Sequence, residues 1–250
     1  MVDAVVVNEF ETVRGKRPSP WRGLVYSLPG VGKSTLAASA PGAFFLDLES
    51  GLDRIDDAWR TPTKITNYDD IIKWMRWASQ NPDVKTVVFD TVDEIDRILS
   101  ARVLESYNKD NRPAKTVSDI PYGKGGDLLV SEWRGFIGLL DRLHAIGKNI
   151  LLIGHEQIQL FENPSGANFS FYTVNVHKKV APVLMSKLDF CFYAKIETIV
   201  RDADDNGKGK AFATNRRVLM TTQGGSYISK SRFNLPESVP MDASVFASLQ

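Results

Sequence analysis

Residues 22–37, RGLVYSLPGVGKSTLA, constrain the fold of this chain more than any other stretch. A short apolar run (Leu24, Val25, Tyr26) leads into a turn of Pro29, Gly30, Val31 and Gly32. Lys33, Ser34 and Thr35 follow at once, and Leu36, Ala37 and Ala38 begin a helix. Strand, glycine loop and helix in that order are the context a phosphate-binding loop requires. Gly30 and Gly32 permit dihedrals that larger residues avoid, so successive N–H groups can turn toward anionic oxygens. Lys33 offers a point charge to the outer phosphates of a nucleotide, and Ser34 a hydroxyl to Mg2+. Residues 29–35 are therefore expected to hold ATP with Mg2+. The full G-x-x-x-x-G-K-[ST] pattern has glycine where this chain has Ser27, a small replacement.

The chain has 250 residues, of which 43% are hydrophobic and 24% charged, enough for a large α/β core. Apolar runs are strand-length, short of the roughly 20 residues of a membrane helix, and the first residues lack the pattern of a secretion signal. No membrane partner is expected. A single cysteine, Cys191, lies between Phe190 and Phe192, which marks it as a buried strand residue and suits a reducing cytoplasm. A net charge of +1 gives no global basic field, so nucleic-acid binding would depend on local patches or an assembled oligomer.

Residues 1–21 read as a short strand or docking arm ending in a basic, Pro-containing connection, and 22–250 as one domain. Pro41-Gly42 ends the first helix, and AFFLDLE (43–49) is a buried strand finishing in acids. Asn67 to Asp70 offer caps to a helix carrying Ile71, Ile72, Trp74, Met75 and Ala78. TVVFD (86–90) has the composition of a central parallel strand. Helical spacing follows over 92–107 and 129–143, separated by a polar stretch, 108–126, expected to be a long surface loop. NILLIG (149–154) is another buried strand, after which 160–177 mixes turn residues with aromatics. A short helix over 181–187 and a strand over 189–196 follow. Asn206-Gly207 marks a hairpin tip between strand-like runs at 197–201 and 217–221, and the tail beyond residue 236 looks only locally ordered. Alternating strands and helices from 22 to 154 predict an α/β fold: a mostly parallel central sheet with helices on both faces and a C-terminal β-hairpin extension. Ligands of such sheets sit at the carboxyl ends of the strands.

Residues suited to nucleotide hydrolysis stand at those ends. Asp90 closes TVVFD as a carboxylate able to hold Mg2+ opposite Ser34. Glu49 could deprotonate a water attacking the γ-phosphate; Asp47 lies on the same side of the strand, so alternation alone does not choose between them. His155 closes NILLIGH where a polar side chain could sense the γ-phosphate, with Glu156 and Gln157 as competitors.

In this order, SLPGVGKSTLA, AFFLDLESGLDRI, KTVVFDTVDEI and ILLIGHEQI resemble the core of RecA-type P-loop NTPases. More narrowly they resemble phage-encoded AAA/RecA-core nucleotide-binding proteins linked to single-strand annealing and recombination, over roughly residues 20 to 235 including the late KSRFNLP. The resemblance implies that Glu49 matches the catalytic glutamate, Asp90 the Walker B position and His155 the place of a glutamine sensor. It also implies a homo-oligomer, ring or filament, in which a neighbour supplies cations. Lys230 and Arg232 are the candidates, with Arg216 and Arg217 behind them. It implies single-stranded DNA as partner, bound by the loops after the third and fourth core strands. Those carry Lys115, Tyr122 and Lys124, and Lys178 and Lys179, cations among aromatics that suit gripping phosphates and stacking bases. The expected function is thus an Mg-ATP-dependent ATPase on single-stranded DNA in phage recombination, annealing or replication, with phage recombination or replication proteins as further expected partners. The alternative is a nucleotide-gated protein that turns over little ATP and recruits partners. A small-molecule kinase is disfavoured, since no acceptor pocket with clustered arginines is evident.

Overall fold

The computed structural model describes residues 19–163, 166–203 and 209–249, and residue 15. The arm proposed for residues 1–21 therefore lies largely outside the described residues, as does the Asn206-Gly207 tip.

Alternation of apolar residues along short strands builds the frame. β1 (Arg22–Ser27), β2 (Ala43–Asp47), β3 (Thr86–Asp90) and β4 (Asn149–Phe161) run parallel, and β6 (Phe190–Ala203) adds to the far side of β1. The order across the sheet is β2-β3-β4-β1-β6-β7-β9, with β7 (Gly209–Met220) and β9 (Ser238–Pro240) antiparallel to their neighbours. This is the mostly parallel α/β sheet expected, with its hairpin extension. Because strand side chains alternate, each strand feeds two cores. Val87 and Phe89 face one cluster with Leu24, Leu46 and Leu152, whereas Val88 faces the other with Val25, Phe45 and Ile153.

The first core is roofed by α2 (Tyr68–Gln80), α3 (Val92–Asp110), α4 (Lys124–Ala145) and α5 (Val180–Lys187). Asn67 caps α2 by accepting the Asp70 N–H at 2.9 Å, and Ile71, Met75 and Ala78 form its buried stripe. The second core lies under α1 (Lys33–Ala38) and α6 (Ser244–Ala247). There Trp21 stacks on Phe246 at 5.7 Å, so the C-terminal tail is packed rather than only locally ordered.

Tertiary packing corrects other expectations. The 108–126 loop is mostly built structure: α3 runs through Asp110, and two 3-10 turns, Val117–Asp119 and Pro121–Gly123, bury Val117 and Ile120 before α4 begins at Lys124. β4 does not stop at Gly154; it continues to Phe161 by pairing antiparallel with β5 (Phe169–Val174), which supplies hydrogen bonds its polar sequence did not announce. The runs at 189–196 and 197–201 likewise form one strand, β6, with an irregularity between Ile196 and Thr198.

Candidate nucleotide-binding site

The glycine loop leaves the carboxyl end of β1 and enters α1 through Gly32. Gly30 and Gly32 have φ of 80° and 105°, left-handed values that favour glycine. Among the described residues no acceptor within the chain takes the backbone N–H groups of Gly30 through Thr35, and no side chain caps Gly32. Lys33 is 6% exposed, and among the described residues its ammonium meets only neutral oxygens: Ser27 O and Oγ at 3.3 Å and Leu28 O at 3.0 Å. Burial pulls its pKa below the usual value, against the opposing fields of Asp90, Asp93 and Glu49. A buried ammonium without an ion pair, beside unpaired amides, is a donor set that fits a polyphosphate.

Across the loop, the Ser34 hydroxyl donates to Asp90 Oδ2 at 2.7 Å. Burial pushes Asp90 up to about 6; the Ser34 hydrogen bond opposes that, while Glu49 and Asp47 add to it. A hydroxyl and one carboxylate, with no ready-made cage of three or more His, Cys, Asp or Glu among the described residues, fit Mg2+, which takes one or two protein ligands and completes its shell with phosphate and water.

Geometry separates the competing acids. Asp47 Oδ1 accepts the N–H groups of Glu49 (3.2 Å) and Ser50 (2.6 Å), so its carboxylate shapes the turn. Glu49 lines the cavity, where Thr91 Oγ1 donates to its Oε1 at 3.2 Å and His155 Nδ1 stands 3.6 Å away. His155 also lines the cavity, level with Ser27 in the β1–β4 register. Its competitor Gln157 is spent on the Val174 and Val176 carbonyls of the β5 side, at 2.9 and 2.7 Å. The cavity, about 420 Å³, gathers Pro29, Gly30, Gly32, Lys33, Ser34, Thr35, Glu49, Asp90 and His155. Of residues 29–35, only Val31 is turned away, buried in the second core.

The lining also includes a cation that the resemblance implies a neighbouring subunit would supply. Arg217, on β7, borders the cavity. Lys230 and Arg232 do not. Lys230, on β8 (Lys230–Ser231), is level with Cys191 at the start of β6 and donates to the Met185 carbonyl, and Arg232 pairs with Asp189 at 2.8 Å. Both therefore sit at the end of the sheet opposite the glycine loop of their own chain. Arg217's signal in the sequence is faint, a strand cation 183 positions after Ser34.

The predicted DNA-contacting segments converge. Lys179 Nζ donates to Gly123 O at 3.2 Å and to Asp127 at 2.7 Å, joining the turn after α3 to the segment before α5. Tyr122 is 95% exposed with φ of 58°, and Lys115 and Lys124 near it in the chain and Lys178 beside Lys179 are exposed. α3 links this surface to the cavity. Asp93 accepts the His155 N–H (2.9 Å) and the Asn175 amide (2.8 Å), and Asp96 accepts the Trp133 indole (2.6 Å) and the His177 N–H (3.3 Å). Among the described residues no helix is long and apolar enough to cross a membrane.

Sheet and cavity together define a P-loop NTPase domain with an α/β fold. The family model described as an AAA domain matches residues 19–233, and the chain belongs to that family. No curated protein matches it. Among solved structures, a KaiC-like protein from the hyperthermophilic archaeon Pyrococcus horikoshii OT3 is similar at 10% identity and a TM-score of 0.41, covering 81% of this chain and 78% of its own.

Proposed function

We propose that this protein is an Mg-ATP-dependent ATPase that binds single-stranded DNA in phage recombination, annealing or replication, in the cytoplasm of the host. The supporting observation is the cavity in which Lys33, the Ser34–Asp90 pair and the Glu49–Thr91–His155 cluster surround unpaired loop amides. The loop amides and Lys33 hold the phosphates, and Ser34 and Asp90 hold Mg2+. Held there, Mg2+ would supply positive charge against the outer phosphates. Glu49 takes the proton of the attacking water at a carboxylate oxygen, with Thr91 fixing the carboxylate. The water oxygen bonds to the terminal phosphorus, and the bond to the bridging oxygen breaks. His155 senses the terminal phosphate, and its N–H bond to Asp93 ties its backbone to Asn175.

DNA is assigned to the surface of Lys115, Tyr122, Lys124, Lys178 and Lys179, where exposed cations flank an exposed ring. Steady-state turnover with and without single-stranded oligonucleotide is the test. Turnover indifferent to DNA, with no DNA retained at low salt, removes the DNA half.

A second reading, the nucleotide-gated protein that recruits partners, is favoured by the β4–β5 ribbon beyond His155. There Ile158 and Leu160 are 67% and 57% exposed and the rings of Phe161 and Phe169 meet at a tilt, 5.1 Å between centroids. An apolar ribbon suits protein contact more than phosphate contact. Glu49→Gln separates the two: unchanged turnover and unchanged partner release favour the switch. A homo-oligomer with Lys230 or Arg232 acting on a neighbour's phosphates is proposed on the resemblance alone, and Arg232 would have to leave Asp189 to do so.

A further inference from the structure

We infer that Arg217 is a polyphosphate-binding cation supplied within the same chain, on the leaving-group side of the nucleotide. It rests on the nucleotide reading above and adds a residue the phosphate-loop motif does not contain. Three independent placements support it. First, register: Arg217 pairs with Ile196, three residues beyond Tyr193, the last β6 residue level with β1. Its strand position is thus past the carboxyl end of β1, level with the loop. Second, contact: a Cβ built on Gly32 would lie 2.7 Å from Arg217 Nη1, so the guanidinium rests against the main chain at the loop's tightest point. Third, charge: among the described residues no carboxylate lies within ion-pair distance of Arg217, although arginines at this sheet's other end are paired. An unpaired guanidinium lining a cavity of unpaired amides calls for an anion.

Sheet order says which part of the anion. Asp90 closes β3, His155 lies on β4 where its pairing with β1 ends, and Glu49 follows β2, all on one side of β1; Arg217 stands on β7, on the other side with β6 between. The terminal phosphate belongs with the acids that hold Mg2+ and activate water. The opposite flank faces the phosphates that remain in the diphosphate product. The stem holding Arg217 is braced, since its carbonyl accepts the Met241 N–H at 3.0 Å beside the β7–β9 pairing. The hairpin therefore clamps the loop from the side remote from the chemistry.

Equilibrium binding of fluorescent ATP and ADP to the full chain tests this with Arg217→Ala and Arg217→Lys. Arg217→Ala should weaken ATP and ADP alike by roughly ten- to a hundredfold, the loss of a charge-assisted contact common to both. Arg217→Lys should recover part of that, keeping the charge but not the fork. The turnover number should change less than KM, as for binding energy present before and during reaction. Because the side chain is exposed, both variants should melt with the wild type. Unchanged affinities overturn the assignment, and so does a loss confined to ATP, which would place the cation on the terminal phosphate. If the wild type binds neither nucleotide, the nucleotide reading itself fails and takes this inference with it.

Discussion

The two flanks of the glycine loop are built differently although they border one cavity. On the β2-β3-β4 flank, β2 and β3 end together, Asp47 level with Asp90, and Asp90 is level with Ile153 inside β4. Acids at strand ends are therefore neighbours by construction. On the β6-β7 flank the chain passes the end of the sheet, turns and comes back, so the residue facing the loop is selected by hairpin register. The first flank buries Asp90 among other acids, so that burial first and then Glu49 and Asp47 raise its pKa, and it is suited to metal and water. The second brings one unpaired guanidinium. Parallel sheets concentrate chemistry at a shared edge; an antiparallel return can aim one further side chain at it from outside that edge.

The comparison can be broken most sharply from the acid flank. Lys33→Ala should remove nucleotide binding below detection in calorimetry, and Glu49→Gln should keep binding while lowering turnover by about 10²–10⁴, the usual worth of a positioned general base. Equal loss of binding in Glu49→Gln would assign that residue to holding phosphate instead.

A smaller effect, with a sign of its own, concerns Asp90 in the metal-free protein. Its folded pKa of about 6 lies above its ordinary 3.8, so the folded state holds the proton more tightly than the unfolded chain. Stability from this group is fully present below about 4 and is lost as pH rises through about 6. Asp90→Asn should then stabilise the chelator-treated protein at pH 7.5, on the order of 1–3 kcal/mol, and change little at pH 4. A melting temperature lowered at pH 7.5 would show that the Ser34 hydrogen bond outweighs desolvation.

Gly32→Ala probes where the flanks meet. A side chain at φ 105° is strained by about 1–3 kcal/mol, and its Cβ also meets Arg217. Removing the guanidinium relieves the second cost only. The Gly32→Ala, Arg217→Ala double variant should therefore be less destabilised than the sum of the singles in denaturant titrations. Strict additivity would separate the two residues.

The smallest stability effects belong to the distant surface. Tyr122→Ala with Lys124→Ala should leave melting nearly unchanged, both residues being exposed. It should weaken retention of single-stranded DNA by about 1–3 kcal/mol for the lost ring. Mixing Lys33→Ala with Arg232→Ala subunits should restore some turnover if a neighbour's cation acts. No recovery at any ratio confines the site to one chain.

Legibility followed locality. The loop at 29–35 and the acids at 49 and 90 could be read because each belongs to a segment whose period and composition identify it without its neighbours. The 108–126 stretch misled because its prolines, glycines and charges hide Val117 and Ile120, which are buried only once α3 and α4 pack. The outer half of β4 misled because its strand character comes from β5, supplied from residue 169 onward.

The amino-acid order alone thus determined the parallel frame, the phosphate loop and the pool of candidate acids, since these follow from side-chain period and from what glycine permits. It could not choose Glu49 over Asp47, because alternation puts both on one side. The fold distinguishes them only by what each meets: two amides of a turn occupy Asp47, while Glu49 lines the cavity. Nor could the amino-acid order bring Arg217 to Gly32 or Lys179 to Gly123. Those meetings depend on hairpin register and helix packing, energies shared among residues far apart in the chain and written in no single stretch of it.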